Sequence, residues 1–325
     1  MNREEEEIQF LGFFGIIQES YDIVSSWKII FTKITLFLIL PLSFIYLAHI
    51  QISELLFSKI MLDETPQRTG SHKKISDVLC SEWTAFFLFK IGYFIFFVIL
   101  SLLSTSAVVY TVACIYTAKR ITLKKVMTVV PKVCKRLVVT FVWSFIIFSA
   151  YNVVSILVLL ILGPVSFSGP LFLTLYAVSY LIGFFYITVI WHLASVVSVL
   201  EESYGLNAMA RSHALIKGKM GVCFALFFVM GLFFIEIQLI FKVYVVVGTN
   251  EEGIGRRVGI GILCLVLSSI TMLFGLIMQT IIYFVCKSYH HENIDKSSLA
   301  DHLGGYLGEY VPLKSKDVQL EHFQV

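Results

Sequence analysis

Six nearly uninterrupted apolar runs alternate with short polar connections along the chain, at about 29–48, 86–116, 137–162, 171–199, 222–247 and 258–286. Each reaches the roughly 20 apolar residues that a helix needs to cross a hydrocarbon core. In lipid a spanning segment must satisfy its own backbone N–H and C=O groups, and a barrel strand would be about half as long. The runs therefore predict an all-α fold, a polytopic membrane protein with six transmembrane helices. Three parts are expected: an acidic start and amphipathic interfacial helix at 1–28, the transmembrane domain at 29–286, and a polar tail at 287–325.

A different pattern precedes each odd-numbered span. Ahead of the first, Phe10, Phe13, Phe14, Ile17, Tyr21 and Val24 fall on one helical face, with Gln18, Glu19, Asp22 and Ser25 on the other. Ahead of the third, Leu123, Val126, Met127 and Val130 make a stripe, with Thr122 as N-cap and Pro131 as breaker. Ahead of the fifth, Leu206, Met209, Ala210 and His213 repeat the spacing, and Gly218 is the expected stop. Glu19-Ser20-Tyr21 recurs as Glu202-Ser203-Tyr204. The pattern predicts three repeats, each an interfacial helix in the headgroup layer followed by a transmembrane hairpin. The middle hairpin closes through 163–170.

Composition agrees with that solvent. Hydrophobic residues are 58% of the chain and charged residues 14%, against about 45–50% and 25% in soluble domains. The placement of charge is more telling than its net value. Seventeen Lys and Arg fall on the side of the termini and six on the other, which predicts cytosolic termini. The start, with Glu4 to Glu7, lacks the pattern of a cleaved signal, so the first span is expected to act as the anchor. The six cysteines do not suggest a disulfide framework, and Cys134 and Cys286 near membrane ends read either as acylation sites or as small apolar residues.

Candidate chemistry is sparse. There is no HExxH, Walker loop or GxSxG elbow, and the Gly253-Ile254-Gly255 and Gly259-Ile260-Gly261 pairs read as close-packing positions. No enzyme, metal, cofactor or nucleic-acid partner is expected. The strongest local signal is the 2–3 loop, with Lys119, Arg120, Lys124, Lys125, Lys132, Lys135 and Arg136. Each cation near an anionic leaflet is worth about 1 kcal/mol. The loop reads either as a lipid-headgroup site or as a topology determinant. Within the spans Lys90, His192 and Glu236 are ionisable, and Asn152, Gln238 and Gln279 suit hydrogen bonds between helices. Lys90 and Glu236 lie at similar depth and are expected to pair. In the tail, Tyr310 and Leu313 form a tyrosine-based sorting pattern.

Leu102–Ala113, Lys135–Trp143, Ala194–Glu201 and Ala208–Lys219 together resemble segments of a plant family of six-span membrane proteins of unassigned function. More distantly, the Arg211-Ser212 and Lys217-Gly218 pattern is similar to the membrane domain that some bacteria fuse to a glycerophosphodiester phosphodiesterase. The catalytic domain of those fusions has no counterpart in these residues, so the resemblance implies topology alone. The expected role is that of a membrane adaptor or organiser in the endoplasmic reticulum, wider endomembrane system or plasma membrane. Its expected partners are the bilayer, anionic lipids and unidentified proteins. The alternative is a small-solute transporter or channel using Lys90, Glu236 and His192.

Overall fold

The computed structural model describes residues 9–63, 72–117, 122–165, 170–247 and 253–290. All regular structure among them is helical: α1 (Phe13–Ser26), α2 (Lys28–Ile34), a π-turn π1 (Thr35–Ile39), α3 (Leu40–Asp63), α4 (His72–Tyr116), α5 (Leu123–Val165), α6 (Pro170–Leu200), α7 (Leu206–Ile216), α8 (Met220–Phe241), a second π-turn π2 (Lys242–Val246) and α9 (Ile254–Tyr289). Six stretches are long and apolar enough to cross a membrane: Lys28–Ser58, Trp83–Tyr116, Lys124–Leu162, Leu171–Leu200, Met220–Val246 and Ile254–Tyr289. They match the six runs read from the sequence. Alternation of direction puts α1, the α4–α5 connection, α7 and the end of α9 on one side, here the terminal face.

Local chemistry explains the irregular turns. Pro41 has no N–H to continue the ladder, and just before it the chain widens into π1, where the Leu40 N–H reaches back to the Thr35 carbonyl. At π2 the end carbonyls of Val245 and Val246 accept from the Arg257 guanidinium at 2.9 and 3.4 Å. Helices α4 and α5 have 45 and 43 residues, over 60 Å each at about 1.5 Å per residue. They outrun a hydrocarbon core of about 30 Å. Helix α4 extends past it on the opposite face, α5 on the terminal face.

That extension corrects one expectation. The segment ahead of the third span is not a separate interfacial helix, and Pro131 does not break it, because α5 runs unbroken through it. The reason is the stripe Val126, Val129, Val130, Val133 and Leu137, all at most 2% exposed, which passes Pro131 without a gap. Tertiary packing outweighs the roughly 3 kcal/mol that an interior proline costs. Thr122 does cap the helix, its Oγ1 accepting from the Lys125 N–H at 3.4 Å.

The two other amphipathic helices exist, but they do not simply float in the headgroup layer. Helix α1 buries Ile16, Glu19, Ser20 and Ile23 and leaves Phe14 and Tyr21 exposed. Its core-facing side is thus rotated away from the all-apolar face. Helix α7 likewise buries Ala208, Met209, Ser212, Leu215 and Ile216, while Leu206 is exposed. It stops as expected before Gly218, whose φ of 95° no ordinary side chain favours and where a Cβ would lie 2.4 Å from the Tyr289 ring. The recurring triplets are not equivalent: Glu19-Ser20-Tyr21 lies within α1, Glu202-Ser203-Tyr204 in the α6–α7 connection. The paired glycines at the start of the sixth span are not close-packing positions either, since a Cβ on Gly253, Gly255, Gly259 or Gly261 would meet nothing within 4 Å.

The core sits toward the terminal face. It gathers Ile16 and Ile23 of α1, Ala107 to Cys114 of α4, the valine stripe of α5, Leu193 to Leu200 of α6, and Ile277 to Cys286 of α9. A smaller cluster near the opposite face joins Leu47, Ile237, Phe241 and Cys264.

Candidate functional site

Three places carry polar chemistry. The first is on the terminal face, just past the end of α6. Glu201 receives Tyr283 OH at 2.7 Å and Lys287 Nζ at 3.4 Å on Oε1, and Arg211 Nε at 3.3 Å on Oε2. One carboxylate thereby ties α6, α7 and α9 together. Beside it, Thr140 Oγ1 of α5 bonds Ser198 Oγ of α6 at 2.6 Å and accepts the Gly205 N–H at 2.8 Å. Gly205 has a φ of 64° and opens α7 against the Trp143 ring. Ser212 Oγ donates to the Ile190 carbonyl at 2.8 Å, and His290 Nε2 lies 3.1 Å from the Leu215 carbonyl. Helix α7 is therefore held by hydrogen bonds as well as by its apolar face.

The second is the basic extension of α5. Lys124, Lys132 and Lys135 are exposed along one side, opposite the buried valines, with Thr128 between them. Lys125 and Arg136 flank the stripe and are half-buried. Lys119 and Arg120 lie outside the described residues, as do Tyr310 and Leu313. The exposed stripe lies toward the terminal-face end of α5.

The third is a partly open cavity of about 290 Å³ inside the bundle, lined by residues of α3, α4, α6, α8 and α9. Most of its wall is apolar. His192 Nδ1 lies 3.1 Å from Gln279 Oε1, and the ring stacks on Phe227 at 4.8 Å. Ser104 and Gln279 line the same cavity, and Ser104 Oγ and Gln279 Nε2 are buried without a hydrogen-bond partner among the described residues.

The expected Lys90–Glu236 pair is not formed. Lys90 Nζ instead reaches His49 Nε2 and Ser53 Oγ of α3, both at 2.8 Å, while Glu236 is exposed on α8. Neither lines the cavity, so Lys90, Glu236 and His192 do not converge on one path. Lys90 sits level with Ser53 of α3, and the next residue, Glu54, meets Lys242, so Glu236 lies about 9 Å along α8 from that level as well as facing outward. The other polar residues join helices as expected. Tyr180 OH donates to Asn152 Oδ1 at 2.9 Å, and Gln238 Nε2 donates to Tyr46 OH. The Glu201 hub escaped sequence reading. Its one visible signal was an acid directly after a span, level with Tyr283 and Lys287 in the last turns of another. Cys286 is fully buried, so in the folded state it behaves as a packed apolar residue. Among the described residues no group of three or more His, Cys, Asp or Glu is placed to hold a metal ion.

The model of one protein family, described as a domain of unknown function (DUF8558), matches residues 1–323. The chain belongs to this family. No curated protein and no solved structure matches the chain. Membership in DUF8558 thus covers the whole transmembrane unit and assigns it no chemistry.

Proposed function

We propose that this protein is a non-enzymatic membrane adaptor or organiser whose terminal face lies in the cytosol and gathers anionic lipid headgroups and protein partners. The observation that carries this reading is the exposed row of Lys124, Lys132 and Lys135 on the projecting end of α5. The exposed Phe14 and Tyr21 of α1, with the exposed Phe10 just ahead of the helix, support it from the same face. Aromatic rings and cations together favour the membrane interface. The seventeen-to-six distribution of Lys and Arg supports the orientation. The resemblance to a plant six-span family supports a place in the endomembrane system or plasma membrane. The Tyr310–Leu313 pattern would act there as a sorting element on the cytosolic tail.

Passage of a small solute is the second reading, and the cavity beside His192 is what favours it. The apolar lining of that cavity, and the separation of Lys90 and Glu236 from it, weigh toward the adaptor.

The test uses the full chain reconstituted in phosphatidylcholine with and without phosphatidylserine. Retained anionic lipid is measured after mild extraction across a salt series. Replacing Lys124, Lys132 and Lys135 together by Gln should remove about 1 kcal/mol per cation of preference, and rising salt should erode the wild-type preference. Retention indifferent to both salt and the triple replacement would leave the stripe as a topology signal only.

A further inference from the structure

The cavity has the shape and chemistry of a site for a single lipid chain. Its volume of about 290 Å³ is at the small end of ligand pockets, which run from about 300 Å³ upward. It lies within the spans rather than at a face. Counting at about 1.5 Å per residue from the terminal-face ends of α6 and α9, His192 is about 12 Å deep and Gln279 about 15 Å. Ser104, counted from Tyr116, is about 18 Å deep. The deepest lining residue of α4, Phe97, is about 28 Å down, and Phe185 and Phe234 line the wall between these levels. The His192–Gln279 end is thus nearer the terminal face than Phe97, Phe185 and Phe234, while Phe227 lines the shallow end and Ser101 and Thr271 the deeper levels.

The His192–Gln279 end is also incomplete. Gln279 Oε1 is occupied by His192 Nδ1, but Gln279 Nε2 is buried with no acceptor among the described residues. Ser104 Oγ, on a residue wholly shielded from solvent, has no partner either. Buried donors without acceptors are costly and few in native proteins. An amide NH₂ has only donors to offer, and a hydroxyl can donate as well. The complement is an oxygen acceptor on an otherwise apolar molecule. We propose that the cavity binds one acyl chain whose carboxyl or ester carbonyl accepts from Gln279 Nε2. The imidazole of His192 fixes the Gln279 amide in the orientation that presents its NH₂. The site shares no residue with the basic stripe and stands or falls separately from the headgroup reading.

The test is photolabelling of the full chain in bilayers, with palmitic acid bearing a diazirine at the chain end and with a phosphatidylcholine carrying the same chain. Either probe should attach at Phe97, Phe185 or Phe234. Labelling by the free acid or by the phospholipid distinguishes a fatty acid from an esterified lipid as the source, and either result supports the site. Gly231 lines the cavity, and a Cβ there would meet nothing within 4 Å. Gly231→Leu should therefore fill the space and abolish that labelling while melting no earlier than wild type. Gln279→Leu keeps the bulk, removes the donor, and should weaken competition by unlabelled palmitate about tenfold. Labelling confined to lipid-facing positions such as Leu160 and Leu171, and unaltered by either change, would overturn the proposal.

Discussion

The terminal-side half of the bundle and the opposite half are built from different residues. On the terminal side the contacts are small and hydroxylated: Ser106, Ala107, Thr111 and Ala113 of α4, Thr140 and Ser144 of α5, Ala194 and Ser198 of α6, Ala208 and Ser212 of α7, all buried. On the opposite side, large apolar residues face outward: Leu88 is 70% exposed, Leu160 65%, Ile161 66% and Leu171 72%. Hydrophobicity cannot separate these halves, because lipid is as apolar as leucine. Small side chains let helices approach and gain dispersion, and hydroxyls satisfy themselves on the preceding turn. Ser106, Thr111, Ser144 and Ser198 all donate to carbonyls four residues back. The opposite half relies on a few polar pins. Tyr151 OH donates to the Tyr180 carbonyl at 2.9 Å, and Gly183 leaves room for that tyrosine.

Overpacking should break the contrast most strongly. Ala194 is wholly buried, so Ala194→Leu should cost about 1–3 kcal/mol. Leu160→Phe on the exposed side should stay within about 0.5 kcal/mol. Thermal unfolding of both variants in nanodiscs checks the pair, and equal losses would mean the halves are packed alike.

The Glu201 hub comes next. Glu201→Gln removes the charge that Arg211 and Lys287 share, with side-chain exposures of 17% for the acid and 33% and 22% for the bases. Partial exposure weakens such pairs, so a loss of about 1–2 kcal/mol is expected. The loss should shrink when Lys287→Gln is already present, because the two changes touch one network. Strict additivity in that double-mutant cycle would show that the carboxylate does not join the helices.

The smallest loss from breaking a contact belongs to the pins of the opposite half. Tyr180→Phe deletes the bond to Asn152 and should cost about 0.6 kcal/mol, the average for hydrogen bonds between membrane helices. A larger loss than that of Ala194→Leu would invert the ranking of the two halves.

Hydropathy made all six spans legible, since each run had to supply its own backbone bonding in lipid. What stayed hidden was azimuth. Leu123 to Val130 reads as an amphipathic segment closed by Pro131, and only the continuous buried stripe on to Leu137 shows why α5 ignores the proline. Glu19 reads as a polar-face residue, yet α1 turns it inward. Lys90 and Glu236 do not meet: Lys90 turns to His49 and Ser53 of α3, and Glu236 faces outward. The cavity could not be read because its lining comes from five helices, and two of its informative atoms, Ser104 Oγ and Gln279 Nε2, stand out only by lacking partners.

The packing contrast itself is tested most directly by footprinting the reconstituted full chain with a lipid-soluble carbene reagent, read residue by residue. The account predicts dense labelling at Leu88, Leu160, Ile161 and Leu171, and next to none at Val108, Val197 and Ile281, which are fully buried. Comparable labelling of the two sets, or heavier labelling of the second, would contradict it.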